Sequence, residues 1–157
     1  MSTGKYLLYA TIVSTFILIV WGAYTTAGDY GGACGVGGGS SASVISDHWP
    51  YCHGTLAFPT DWGGQVEYMH RVLSVIAGMF LFVTTAVVWK VKPRPTGAAR
   101  GLLLTSLLII VQILLGNVVV NSELHPVITA IHLANATALF GTMVVSGVLL
   151  HLSEKKF

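Results

Sequence analysis

Ionisable side chains inside the long apolar stretches of this chain are the first candidates for chemistry. His70 and His132 each stand in an apolar run, and Glu67 and Arg71 flank His70. Ionisable groups are costly to hold inside a membrane and usually mark functional sites there. Glu67 precedes His70 by three residues, so both project from one face of a helix. Glu67 could take up a proton or stabilise positive charge, or simply complement the helix dipole as an acid near a helix start.

Two cysteines, Cys34 and Cys52, lie in the glycine-rich segment between the first and second apolar stretches. They predict either a structural disulfide, worth roughly 3 kcal/mol in the chain-entropy model, or a redox-active pair that exchanges with a partner thiol. The segment has no C-x-x-C, and Cys52 lacks the second cysteine that c-type haem attachment requires three residues earlier. The sequence assigns no role to His48, His53 or His125.

The composition indicates that these residues belong to a small integral membrane protein. Only 9% of the 157 residues are charged, against roughly 25% in soluble proteins. A soluble domain so poor in charge could not cover its surface with polar groups. The net charge of +2 is too small for a nucleic-acid footprint. Composition therefore argues against a soluble enzyme and against a nucleic-acid partner.

Four stretches are long enough to cross a bilayer, which takes about 20 apolar residues. They cover residues 6–27, 67–89, 101–120 and 126–152, with one sizeable loop at 28–66. The first stretch is too long for a signal-peptide core and is expected to be retained. The sequence predicts one domain over 1–157, an all-α four-helix transmembrane bundle made of two hairpins of like orientation.

Basic residues predict the topology. Seven of the eight lysines and arginines fall at the N-terminus, in or beside the linker that follows the second stretch, or at the C-terminus. Under the positive-inside rule both termini are cytoplasmic and the 28–66 loop is on the outer side of the cell membrane, where cysteines are oxidised. Each hairpin also carries a glycine in its first helix (Gly22, Gly116) and a histidine in its second, which hints at an internal repeat.

His70 and His132 are predicted at similar depth on the second helices of the two hairpins. In a four-helix bundle those helices can face each other across the core, which is what a bis-histidine haem needs. The alternative is that each imidazole is a satisfied hydrogen-bond partner between helices. Arg71 could extend to lipid phosphate or pair with a haem propionate.

Several short motifs resemble those of haem A synthases. Glu67-Tyr-Met-His-Arg resembles the E-x-x-H-R signature at the start of their second helix. Trp49-Pro-Tyr-Cys-His-Gly resembles W-P-x-C-x-G in their first outer loop, and Gly32-Ala-Cys the first loop cysteine. Leu115-Gly-Asn-Val-Val-Val and Ile131-His-Leu resemble helices three and four of the family's N-terminal half.

The resemblance implies a four-helix, half-length variant of an enzyme with eight helices. It implies oxidation of the C8 methyl of haem O, the substrate, to the formyl group of haem A, with haem b as redox cofactor. Carried over residue by residue, His70 and His132 are axial ligands of haem iron, Glu67 is the catalytic carboxylate, and Cys34 and Cys52 form the loop pair. One histidine pair per chain suggests a homo-oligomer, at least a dimer.

Two other functions remain open. One is a bis-histidine b-type membrane cytochrome for electron transfer, which would explain the histidines but not Glu67 or the cysteines. The other is a non-catalytic factor that holds haem for oxidase assembly. For the enzyme, the expected partners are the lipid membrane, a haem O-producing enzyme and an electron donor.

Overall fold

The chain folds into four long helices in the computed structural model, which describes residues 2–35 and 51–154. They are α1 (Ser2–Ala27), α2 (Trp62–Lys90), α3 (Thr96–Asn121) and α4 (Pro126–Glu154). Short connections join α2 to α3 and α3 to α4, as expected for antiparallel neighbours. All four helices are long and apolar enough to cross a membrane. The predicted all-α, four-helix membrane bundle is confirmed.

The helices pack in a ring in chain order. α1 contacts α2 and α4, and α3 contacts α2 and α4, whereas α2 and α4 stand diagonally opposite each other. One end of the bundle, here called the loop end, carries residues 28–35, 51–61 and the α3–α4 turn at 122–125. The other, the linker end, carries the α2–α3 connection at 91–95. The two helices that bear the histidines therefore face each other across the bundle.

Helix α2 begins at Trp62, five residues before the predicted start at Glu67. Asp61 is its N-cap, and the Asp61 Oδ2 atom accepts a hydrogen bond of 2.7 Å from the Gly64 amide. Such a cap satisfies one of the amides that the first helical turn leaves without a partner. Glu67 and His70 consequently lie in the second and third turns of α2, deeper than the sequence predicted.

The linker half of the bundle holds most of the apolar core. The largest fully buried apolar side chains there are Leu8, Leu81, Val88, Leu102 and Met143. Hydroxyl pairs join neighbouring helices in the same half: Thr11 with Thr84 at 2.8 Å, Thr85 with Ser106 at 3.0 Å and Thr105 with Thr142 at 3.1 Å. Such hydrogen bonds hold helices together where no hydrophobic drive acts between them. Among the described residues, the charged side chain that is buried, Glu67, lies in the loop half instead.

Candidate functional site

His70 on α2 and His132 on α4 are both half-buried in the loop half of the bundle. They belong to the diagonally opposed helices. Ala77 and Ala136, one to two turns toward the linker end, are buried. The structure therefore places the two predicted histidines on opposed helices, in the same half of the bundle.

Each imidazole lies against a glycine of the preceding helix. A Cβ atom added at Gly22 would lie 2.8 Å from Cε1 of His70, and one at Gly116 would lie 3.3 Å from Cε1 of His132. Carbon atoms in favourable contact are about 3.5–4.0 Å apart, so a larger residue at Gly22 would push the ring away. The same glycine–histidine contact therefore occurs in both hairpins. It joins the glycine and the histidine that suggested an internal repeat in the sequence.

The ring nitrogens of the two histidines are differently satisfied. Nδ1 of His70 is buried, and neither nitrogen of this ring has a hydrogen-bond partner among the described residues. His132 Nε2 lies 3.0 Å from Gln112 Nε2, while its buried Nδ1 has no partner in the same part of the chain. The alternative of a satisfied interhelical hydrogen bond thus describes His132 but not His70. Unpaired polar atoms in an apolar interior are costly unless a ligand engages them.

Glu67 connects α2 to the loop. Its side chain is 3% exposed. Oε2 accepts a hydrogen bond of 2.7 Å from the Cys34 amide, and Oε1 accepts one of 2.5 Å from Arg71. Arg71 also donates to the Tyr51 carbonyl at 2.6 Å. The carboxylate and the guanidinium are therefore bonded to each other, and each is also bonded to the loop. The sequence did not predict these loop contacts, because it suggested only a helix-dipole or a catalytic role for Glu67.

The predicted Cys34–Cys52 disulfide is present, with the Cα atoms 4.4 Å apart and both residues buried. The His53 amide donates to the Cys34 carbonyl at 3.0 Å, so backbone contacts accompany the covalent link. Thiol–disulfide exchange needs access to a sulfur atom, and burial restricts that access. The geometry favours the structural interpretation of the pair over the redox-active one.

Asp61 adds an ion pair at the same end of the molecule. His53 Nε2 lies 2.9 Å from Asp61 Oδ1. The hydrogen bond from the Gly64 amide, aided by the contact with His53, holds the pKa of the Asp61 carboxyl below its usual value. His53 thus acquires a structural partner.

His125 lies in the α3–α4 turn at the loop end. The backbone carbonyl of exposed His125 accepts from the Thr129 amide at the start of α4, and His48 lies outside the described residues. Within residues 2–35 and 51–154, no group of three or more His, Cys, Asp or Glu side chains could hold a metal ion by itself.

Sequence reasoning missed Gln112 and Asn135. Asn135 Nδ2 donates to Gln112 Oε1 at 2.7 Å and to the Leu108 carbonyl at 3.1 Å, so an amide network reaches His132. Only ionisable groups were considered in the apolar stretches. Uncharged amides in helices α3 and α4 carried the same signal, because buried amides also need partners.

Comparisons with known proteins give the family. Residues 64–156 match the model of the COX15-CtaA family, described as cytochrome oxidase assembly protein. The match includes Glu67, His70, Arg71 and His132 but begins after both cysteines. No solved structure matches the chain.

Three relatives are similar to parts of the chain. A heme A synthase of Symbiobacterium thermophilum is 29% identical over 116 residues, which are 74% of this chain and 34% of that protein. Protoheme IX farnesyltransferase 1 of Natronomonas pharaonis is 29% identical over 149 residues, 95% of this chain and 28% of that protein. The protoheme IX farnesyltransferase of Haloarcula marismortui is 29% identical over 140 residues, 89% and 27% of the two chains. The chain thus spans about a third or less of the length of these relatives. Because the family model matches more than half of this chain, the chain belongs to the COX15-CtaA family of cytochrome oxidase assembly proteins.

Proposed function

We propose that the protein is a haem A synthase that oxidises the C8 methyl of haem O to the formyl group of haem A. The observation that carries the proposal is the histidine pair: His70 and His132 on opposed helices, each against a glycine. These residues fit a haem, because the buried Nδ1 of His70 has no partner among the described residues and His132 carries a second imidazole on the opposed helix. Haem b, when bound, supplies the redox chemistry.

In this proposal Glu67 is the catalytic carboxylate. It lies one turn from His70 toward the loop end, and its burial would strengthen its effect on charge that develops nearby. Two donors already bond it, but an ionised carboxylate has about four lone-pair positions, so it retains acceptor capacity. Its bonds to Arg71 and Cys34 hold it at a fixed place.

Arg71 is proposed to bind a haem propionate. Its contacts with Glu67 and Tyr51 use two of the five N–H donors of a guanidinium, which leaves donors for a second carboxylate. Arg71 would then connect the propionate, the catalytic carboxylate and the loop.

We also propose that the loop end faces the outside of the cell membrane and that both termini are cytoplasmic, on the distribution of lysine and arginine.

The comparisons suggest which class of enzyme is a partner of this protein. A segment similar to this chain makes up about a quarter of two proteins named protoheme IX farnesyltransferase. An enzyme that farnesylates protohaem makes the kind of substrate proposed here, so we expect a haem O-producing enzyme beside this protein, with a homo-oligomer supplying a second histidine pair.

A second function is favoured by the contacts of Glu67. Because Cys34 and Arg71 bond both of its oxygens, its role could be structural, and the protein would then hold haem for oxidase assembly without oxidising it. Electron transfer by the same bis-histidine site is the remaining alternative.

Incubation of the purified protein with haem O, a reductant and oxygen, followed by pigment extraction, separates these functions. The enzyme should yield haem A or its hydroxylated precursor. Glu67→Gln should keep the haem spectrum and lose the product, whereas Glu123→Gln, which removes an exposed carboxylate from the same end, should keep both. Unchanged haem O from the wild-type protein would contradict the synthase proposal and support the haem-holding one. A full yield from Glu67→Gln would remove Glu67 from the chemistry.

A further inference from the structure

An amide network contacts His132, and no such network reaches the His70 ring within the part of the chain that the structure describes. Asn135 Nδ2 donates to the Leu108 carbonyl at 3.1 Å and to Gln112 Oε1 at 2.7 Å. Gln112 Nε2 then lies 3.0 Å from His132 Nε2. The network joins α3 to α4 in the loop half of the bundle. It ends on the imidazole proposed as an iron ligand.

The direction of each hydrogen bond follows from the backbone carbonyl at its start. A carbonyl only accepts, so the Asn135 group that faces Leu108 must be its NH₂. The same NH₂ faces Gln112, so that contact must be with the Gln112 oxygen. This leaves the Gln112 NH₂ toward His132, and Nε2 of the ring must accept. His132 is therefore neutral, with its proton on Nδ1.

We propose that Gln112 is a positioning residue that selects the Nδ1–H tautomer of His132 and occupies its Nε2 lone pair until haem binds. A lone pair on Nε2 is what an imidazole needs to ligate a metal through that atom, and the partner of a ring nitrogen sets the tautomer. Gln112 thus prepares the ligand atom and also covers it.

The two histidines should then bind haem in order. The His70 imidazole has no hydrogen-bond partner among the described residues, so no contact of the ring with them has to break before it ligates. His132 must first exchange its hydrogen bond with Gln112 for the bond to iron. The order of binding rests on the proposed function, because it requires a bis-histidine haem. The tautomer of His132 does not.

The tautomer can be measured without haem. In a ¹⁵N NMR spectrum of the haem-free protein labelled at histidine, His132 should show a protonated Nδ1 and an unprotonated Nε2. Its signals are assigned by their loss in His132→Ala. A protonated Nε2 in the wild-type protein would overturn the inference without recourse to any further variant.

Two variants test the role of the network. Gln112→Leu removes the donor and should shift His132 away from the Nδ1–H tautomer. Asn135→Leu leaves Gln112 in place but removes the group that orients it, so it should shift the population in the same direction by less. Asn117→Leu makes a similar change on α3, at an exposed residue bonded to Asn121, and should leave His132 unaffected. Equal tautomer populations in wild type, Gln112→Leu and Asn135→Leu would contradict the proposal.

Stopped-flow mixing with ferric protohaem tests the order of ligation. The wild-type protein should pass from a five-coordinate high-spin species to a six-coordinate low-spin one. In Gln112→Leu the rate of the second step, divided by the fraction of His132 that NMR finds in the Nδ1–H tautomer, should rise by about three- to tenfold, the factor expected when one ordinary hydrogen bond no longer has to break. An unchanged rate after this correction for the tautomer would overturn the covering role of Gln112. If the wild-type protein binds no haem while the NMR result holds, the proposed function fails and the tautomer assignment stands.

Discussion

The glycine–histidine contacts predict a graded effect of adding one methyl group. In Gly22→Ala the new Cβ would lie 2.8 Å from His70 Cε1, so the ring must move by about 0.7 Å to reach an ordinary carbon–carbon contact of about 3.5 Å. In Gly116→Ala the distance to His132 Cε1 is 3.3 Å, and a shift of about 0.2 Å suffices. Gly141→Ala meets nothing within 4 Å and is the neutral control.

These displacements should affect haem binding more than folding. The groups of a binding site must lie within about 0.5 Å of their productive positions. The ring displacement in Gly22→Ala exceeds that tolerance, whereas the displacement in Gly116→Ala does not. Misorientation of a metal ligand typically costs about 10–100-fold in affinity, which we expect for Gly22→Ala. Gly116→Ala should lose less than about threefold. The haem-free variants should unfold at or above the wild-type temperature, because alanine is the better helix former by about 1 kcal/mol.

The assay is a titration of each purified variant with haem, followed by its low-spin absorption bands. Thermal unfolding without haem serves as the control for folding. Equal affinity and equal low-spin fraction in Gly22→Ala and Gly141→Ala would show that His70 does not ligate haem from its observed position.

Three further predictions concern the loop end. Alkylation without reductant, followed by mass spectrometry, should leave Cys34 and Cys52 unlabelled, and quantitative labelling of both would contradict the disulfide. Glu67→Ala should lower the free energy of unfolding by about 3–5 kcal/mol, because it leaves the largely buried Arg71 without its ion-pair partner. The double variant Glu67→Ala/Arg71→Ala should recover part of this loss. If the two single losses simply add in the double variant, the two side chains are not coupled. Because the pKa of Asp61 is held below its ordinary value of 3.8, its cap should be complete above that pH and be lost as the pH falls through the lowered pKa. Protection of the capped amide against hydrogen exchange measures this, and a profile unchanged by Asp61→Asn would contradict it.

The fold was predictable because its signals are local. The backbone polar groups of an apolar stretch inside a bilayer can all be hydrogen-bonded within that stretch only if it is a helix. The short α3–α4 turn then makes these two helices antiparallel neighbours. The start of α2 was harder to predict. Asp61 caps the helix ahead of two glycines, and Trp62, Gly63 and Gly64 carry no apolar periodicity that would extend the helix back from Glu67.

The site was predictable only in part, because its contacts are non-local. The placement of His70 and His132 on opposed helices could be predicted from the sequence, although His70 lies deeper than expected. The bond between Glu67 and the Cys34 amide, in contrast, joins residues 33 positions apart. No pattern along the chain encodes that contact. Gln112 and Asn135 were missed for a different reason, since uncharged amides do not interrupt an apolar stretch as visibly as ionisable groups do.

His70 and His132 together are proposed to ligate a haem. The most direct test is the absorption spectrum of the reduced protein purified with haem, compared with the spectra of His70→Ala, His132→Ala and, as a control, His125→Ala. Two imidazole ligands predict sharp low-spin b-type bands in the wild-type protein and in His125→Ala. Each of the other two variants should lose the low-spin haem or convert it to a high-spin form. A low-spin spectrum that survives either substitution unchanged would contradict the account.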